Sequence, residues 1–204
     1  MYQEAVRSKL ISFLQSLAKI KEINNFYLAG GTSLALQIGH RESIDLDFFS
    51  YKKFSNKSLK SVLEQIGKLQ IITDEPNTLN LTIDRIKLSF FYYPYKLILP
   101  TLRFKGINIA DKRDIAAMKL EAIAGRGSKK DFIDIYYLCQ KYSLEKILAW
   151  YKKRYKNLSI NQFHLIKSLT YFVDAENDPI PKMLKPVNWT QVKEEIIKEV
   201  KKLV

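Results

Sequence analysis

Apolar residues recur along this chain at two spacings, three-to-four and two, and each change of spacing marks a change of element. Val6, Leu10, Phe13, Leu14 and Leu17 fall on one helical face and predict a helix within residues 3–21. "NFYLA", residues 25–29, predicts a short buried strand ended by Gly30-Gly31. Thr32 to Ile38 predict a helix, with Gly39-His40 as its stop. "SIDLDFFS" alternates and predicts a strand that buries Ile44, Leu46 and Phe48. A helix is predicted over residues 56–67, ending at Gly67, and a strand in "LQIITDE". "LNLTI" and "RIKLSFFYY", parted by little more than Asp84-Arg85, predict a hairpin at a sheet edge. "LRFKGINIAD" predicts one further short strand with a turn at Gly106.

From Asp111 the period becomes helical throughout. "DKRDIAAMKLEAIAGRGSKKDFIDIYYLCQKY" holds two helical patterns parted by Gly125-Arg126-Gly127, and others follow at 143–156, 160–173 and 188–203. "DAENDPIPKMLKP" is the one loop-rich linker. The expected organisation is an α/β (α+β) core over residues 1–110, with a mixed sheet flanked by helices, and a helical C-terminal region over 111–204. There are no internal repeats or low-complexity tracts.

Composition narrows the setting. At 204 residues and 47% hydrophobic, the chain can bury a core in one or two small domains. A single cysteine, Cys139, excludes an internal disulfide framework and suits a reducing cytoplasm. Charges interrupt the apolar pattern of the N-terminus, unlike a signal peptide, and no apolar run nears the roughly 20 residues of a membrane helix. A soluble, cytoplasmic protein without membrane contact is expected. The net charge of +13, from 34 Lys+Arg against 21 Asp+Glu, favours polyanionic partners, although lysine-rich composition arises as readily from genome-wide bias.

The chemistry concentrates in "LAGGTSLALQIGHRESIDLDFFS", residues 28–50. In a strand, Asp45 and Asp47 project to one face, and a bound cation offsets their repulsion; adjacent carboxylate oxygens suit magnesium, which completes its shell with water and substrate phosphates. Glycines admit a ligand close to the backbone, and a helix beginning at Gly30-Gly31 offers free N–H groups to an anion. Thr32 or Ser33 is placed to cap that helix or to donate to a phosphate. Either motif alone is common, as a solvated strand face or a tight turn. Together, in strand–turn–helix–strand order, they describe a site for a magnesium-bound triphosphate. His40 and Arg41, just before the aspartate strand, are further candidates for phosphate.

Gly-Gly, a helix and Asp-x-Asp on the next strand resemble the signature of the DNA polymerase β-like nucleotidyltransferase superfamily. "GGTSLALQIGHRESIDLDFF" with "DIAAMKLEAIAGRGSKKDFIDIYYL" downstream resembles more specifically the AbiEii/AbiGii toxin family, across about residues 25–140. The resemblance implies a magnesium-dependent nucleotidyltransferase toxin of a toxin–antitoxin or phage-defence system. Its partners would be an NTP, an RNA acceptor (a tRNA end) and a cognate antitoxin encoded nearby. Gly30, Gly31, Thr32 and Ser33 would bind nucleotide, and Asp45 and Asp47 would hold the metal.

Spacing alone makes Lys119, Arg126, Lys129 and Lys130 a solvated basic surface, with Asp131 and Asp134 as local ion-pair partners. The resemblance instead makes Lys119 and Asp131 catalytic, with Arg126 and Lys130 on the nucleotide and Asp134 beside them, so that the helical region completes the active-site cleft. One departure stands out. The superfamily's third carboxylate is expected on "RIKLSFFYY", where Ser89 stands, and Asp84 sits at the turn. Either the second metal is held differently, with help from Asp131, or a single metal is firmly bound.

"WYKKRYK", residues 150–156, offers RNA a basic surface interleaved with aromatics, or else buries its aromatics and exposes its lysines. Two alternatives to an RNA-modifying enzyme stay open: the same fold acting on a protein or small molecule, and a silent nucleotide-binding module. The sequence specifies neither the NTP nor the oligomeric state.

Overall fold

The computed structural model describes residues 1–159 and 161–203. Its contacts divide the chain into two compact units, Met1–Asp111 and Lys112–Val204. The first is built on a seven-stranded mixed sheet in the order β3-β4-β5-β2-β1-β7-β6. These strands are β1 (Tyr27–Ala29), β2 (Leu46–Ser50), β3 (Leu69–Glu75), β4 (Thr78–Ile83), β5 (Ile86–Tyr92), β6 (Leu102–Phe104) and β7 (Ile107–Ile109). Helices α1 (Ser8–Leu17), α2 (Gly30–Ile38) and α3 (Asn56–Leu63) flank the sheet.

The period-two pattern explains the centre of the sheet. β2 runs antiparallel to β1 and parallel to β5, and Leu46 and Phe48 are fully buried on one face. Phe48 stacks on Phe90 with ring centroids 5.1 Å apart. Leu10, Phe13, Leu14 and Leu17 of α1 join the same core, so the three-and-four spacing of that helix is its buried stripe.

Several expectations change in detail. β2 begins at Leu46 and Ile44 is exposed, because the chain has not yet entered the sheet at that residue. α2 includes both glycines rather than starting at Thr32. "LRFKGINIAD" makes two strands, β6 and β7, paired across Lys105-Gly106. β4 and β5 do form a hairpin, with Asp84 and Arg85 at φ 48° and 69°, the positive angles of a tight two-residue turn. The sheet edge beyond it is β3, whose Ile71 and Ile72 are exposed.

The second unit is helical among its described residues: α4 (Lys112–Gly125), α5 (Lys129–Cys139), α6 (Leu144–Arg154), α7 (Gln162–Ser168) and α8 (Trp189–Lys201). α4 packs on α5, α6 and α7, and α5 packs on α8. Ser143, Asn161 and Asn188 cap α6, α7 and α8 by accepting from the backbone N–H three residues on. The helix expected over 160–173 is thus the shorter α7 followed by a 3-10 turn, Val173–Ala175, and its first position lies outside the described residues. The proline-bearing stretch is no bridge between units; it belongs to the helical one. Lys129 donates from Nζ to the Glu176 carbonyl at 2.9 Å, and Tyr137 donates to the Lys185 carbonyl at 2.6 Å.

Candidate active site

In the sheet unit the glycine turn and the aspartate strand are neighbours by register. Ala29, the residue before the glycines, lies opposite Asp47, whose partner on the other side is Ser89 of β5. Gly30 has φ +66°, which disfavours any side chain, and a Cβ built there would stand 2.7 Å from Asp47 Oδ2. A Cβ on Gly31 would stand 2.5 Å from Nη2 of the buried Arg41. The two glycines are therefore spaces, one filled by a carboxylate and one by a guanidinium.

The hydroxyls after them do not cap the helix and are hydrogen-bonded to main-chain carbonyls. The residue capping α2 is Ala29, and neither Thr32 nor Ser33 caps it. Thr32, 1% exposed, donates instead to the Asp45 carbonyl and lies 2.8 Å from Ser43 Oγ. It ties the start of α2 to the start of the aspartate segment. Ser33, fully buried, reaches the Ala110 carbonyl at 3.4 Å, which Gln37 also holds at 2.9 Å. Thr32 thus sets Asp45, and Ser33 anchors the helix to the end of β7.

Asp47, on β2, and Asp45, the last residue before that strand, are both half-buried and flank fully buried Leu46. They are hard oxygen donors, the set that suits magnesium. Among the described residues no group of three or more His, Cys, Asp or Glu side chains is placed to hold a metal. A two-carboxylate donor set fits an ion that keeps positions for water and substrate phosphate. Ser89, 5% exposed and in register with Asp47, occupies the place where a third acid was expected.

A second constellation lies in the helical unit. Lys119 of α4 places Nζ 2.7 Å from Asp131 Oδ1 and 2.5 Å from Asp134 Oδ2, both on α5. Both aspartates are fully buried and Lys119 is 5% exposed, contrary to a solvated basic surface. Asp131 Oδ2 accepts from Arg126 Nε at 3.1 Å and from the Ser128 hydroxyl at 2.6 Å. Burial works to raise the Asp131 carboxyl, but the charge of Lys119, with Arg126 beside it, outweighs burial and holds its pKa below the usual value. Two cations and two carboxylates balance in the cluster. Arg126 keeps 64% of its side chain exposed, so it is the member that reaches solvent.

The profile of the nucleotidyl transferase AbiEii toxin of type IV toxin–antitoxin systems matches residues 12–202. The chain belongs to the AbiEii family. A relative from Aquifex aeolicus, of uncharacterised function, is 37% identical over 194 residues and 92% of each chain. The fold is similar to that of MenT4, a nucleotidyltransferase toxin of Mycobacterium tuberculosis, at TM-score 0.57 and 15% identity, over 97% of this chain and 87% of that one. It is also similar to that of JHP933 from Helicobacter pylori, at TM-score 0.56 and 19% identity, over 97% and 93% of the two chains. As an AbiEii protein, the chain is a nucleotidyltransferase with an NTP as substrate and an antitoxin as the partner its family implies. No helix among its described residues is long and apolar enough to cross a membrane.

The remaining candidates of this AbiEii chain sort by burial. Lys130 is exposed, whereas its neighbour Lys129 is buried against the Trp189 ring, 5.2 Å from its centroid. In "WYKKRYK", Tyr151 and Tyr155 are buried and Arg154 pairs with Asp114 at 2.5 Å, leaving the lysines outside and Trp150 half-buried. Its tyrosines therefore present no stacking surface. Burial pushes the Cys139 thiol up to about 12, which disqualifies it as a nucleophile. Ser128 and Ser43 were not foreseen. Ser128 had a readable signal, a helix-capping residue three positions before an acid; Ser43 had none.

Proposed function

We propose that this AbiEii protein is a magnesium-dependent cytoplasmic toxin that transfers a nucleotidyl group from an NTP to RNA, at a tRNA end. The observation that carries the proposal is Gly30 against Asp47, on a strand that the chain enters directly after Asp45. Asp45 and Asp47 would hold the ion, which when bound supplies Lewis acidity at the phosphates and lowers the pKa of the acceptor hydroxyl. The backbone at Gly30 and Gly31 receives the triphosphate, and Arg41 adds positive charge over Gly31. Thr32 fixes Asp45 through its carbonyl, and Ser33 keeps the helix start in place.

The acceptor hydroxyl oxygen bonds to the α-phosphorus. The bond from that phosphorus to the oxygen bridging to the β-phosphate breaks, pyrophosphate takes the electron pair, and the hydroxyl proton leaves to water. Within the helical unit, Arg126 and Lys130 are the exposed cations that the family resemblance assigns to the nucleotide. Lys119 and Asp131 act as positioning residues, since Lys119 holds Asp131 and Asp131 holds Arg126.

Each α-labelled NTP in turn, with magnesium, total cellular RNA and protein extract, tests this reading. Label is expected in an RNA band with wild type, and none with the Asp45→Ala, Asp47→Ala double variant. Label in protein or in a small molecule would overturn the RNA acceptor. No label anywhere from folded enzyme would overturn the reading as a whole.

A further inference from the structure

A groove of about 420 Å³ opens beside Asp45 in the sheet unit. Its walls come from three segments distant in sequence: Arg7, Lys9 and Leu10 at the start of α1, Ile44-Asp45 before β2, and Asp84 to Lys87 at the β4–β5 turn. Arg7, Lys9, Arg85 and Lys87 set four cations against the two carboxylates Asp45 and Asp84. Lys9 donates to the Asp84 main-chain carbonyl at 3.2 Å, not to its carboxylate. The lining also holds the buried side chains of Leu10 and Ile86, while Ile44 is 56% exposed next to Asp45.

We infer that this groove seats the acceptor, as the single-stranded end of an RNA whose terminal hydroxyl is brought to Asp45. The inference rests on the proposed function and names the surface that delivers its second substrate. Gly30, Gly31, Thr32 and Asp47 are absent from the groove lining, so the groove reaches the carboxylate pair from the Asp45 side alone. The glycine turn lies against Asp47. The two substrates thus meet the pair from separate sides. A basic rim with an excess of two positive charges matches phosphodiester oxygens, and Ile44 offers an apolar surface to an unpaired base. The rim is built from exposed side chains on a helix start and a tight turn, so its charges can be removed without opening the core.

The experiment compares wild type with an Arg7→Gln, Arg85→Asn, Lys87→Gln variant; asparagine suits the positive φ at position 85. Binding of a short fluorescein-labelled single-stranded RNA is read by anisotropy across a salt series, with magnesium-NTP binding measured on the same samples. The variant is expected to bind RNA at least about tenfold more weakly. Its salt slope should fall by about 2, at roughly 0.7 for each phosphate that is no longer neutralised. Its affinity for the triphosphate should stay within about twofold. An Arg7→Lys, Lys87→Arg variant, which keeps the charges, should bind RNA as wild type does. If wild type labels RNA but the neutralised variant keeps its RNA affinity, the groove inference is overturned and the proposed function stands. If wild type neither binds nor labels RNA, both are overturned. Equal loss of RNA and triphosphate binding would also overturn the groove, by showing one shared phosphate site.

Discussion

Replacing Lys119 by methionine removes one charge from a buried cluster and leaves its volume nearly filled. Asp131 and Asp134 then stay behind, fully buried, without the ammonium that stood 2.7 and 2.5 Å from them. Removing one partner of a buried ion pair costs about 3–5 kcal/mol. Arg126 and Ser128 still hold Asp131, so the loss should fall near the lower end, about 3 kcal/mol. Against a domain stability of about 5–15 kcal/mol this is large, yet it leaves a folded protein to measure. Both tryptophans, Trp150 and Trp189, lie in the helical unit, so urea denaturation followed by their fluorescence reports on the unit that carries the change.

The pH dependence has a definite sign. In wild type the Asp131 pKa is held below its ordinary value, so its contribution is present above the ordinary carboxylate range and is lost only as pH falls through the lowered value. In the variant Asp131 stays buried without the Lys119 charge that lowered its pKa, so its pKa rises, the folded state binds protons more readily, and stability recovers on acidification. The deficit should therefore shrink between about pH 7 and pH 5. A loss below about 1 kcal/mol at neutral pH, the range of an exposed pair, would refute the reasoning, as would a deficit that widens on acidification.

Gly30→Ala should cost about 1–2 kcal/mol for its left-handed backbone, with a fall in transfer rate beyond that, because the new methyl stands 2.7 Å from Asp47 Oδ2; thermal unfolding and initial rates together test it. Thr32→Val should lose about 1–3 kcal/mol in denaturant unfolding by stranding the part-buried Asp45 carbonyl, and Thr32→Ser should restore most of it; equal losses in the two would contradict the hydroxyl's role. With its thiol pushed up to about 12, Cys139 should react with iodoacetamide near pH 8 roughly a thousandfold more slowly than a free cysteine, and reaction at the ordinary rate would show that its thiol is not raised.

The elements legible in advance were those with a strong local pattern. Strand β3 was marked by "LQIITDE", the β4–β5 hairpin by its Asp84-Arg85 turn, and α1 by its apolar stripe. What periodicity missed depends on partners distant in sequence. Ile44 continues the alternation of Leu46 and Phe48, but no neighbouring strand reaches it, so it stays exposed. "LRFKGINIAD" reads as one strand because its two halves are only three residues each, too short to show a break. In the candidate site, residue types and motif order were visible while hydroxyl directions were not. Thr32 and Ser33 are adjacent, yet one turns to Asp45 and the other to Ala110, a split set by their positions around a helix. Burial of Lys119 was invisible for a similar reason, since α4 and α5 must pack before its two carboxylates meet it.

The central claim is that Asp45 and Asp47 carry a metal-dependent nucleotidyl transfer. Pyrophosphate release is its most direct readout, measured with the labelled NTP and acceptor across a magnesium titration for wild type, Asp45→Asn and Asp47→Asn. The account expects release that rises with magnesium and saturates in wild type, with a rate at least about a hundredfold lower in either variant at unchanged folding. Release independent of magnesium, or preserved in both asparagine variants, would contradict it.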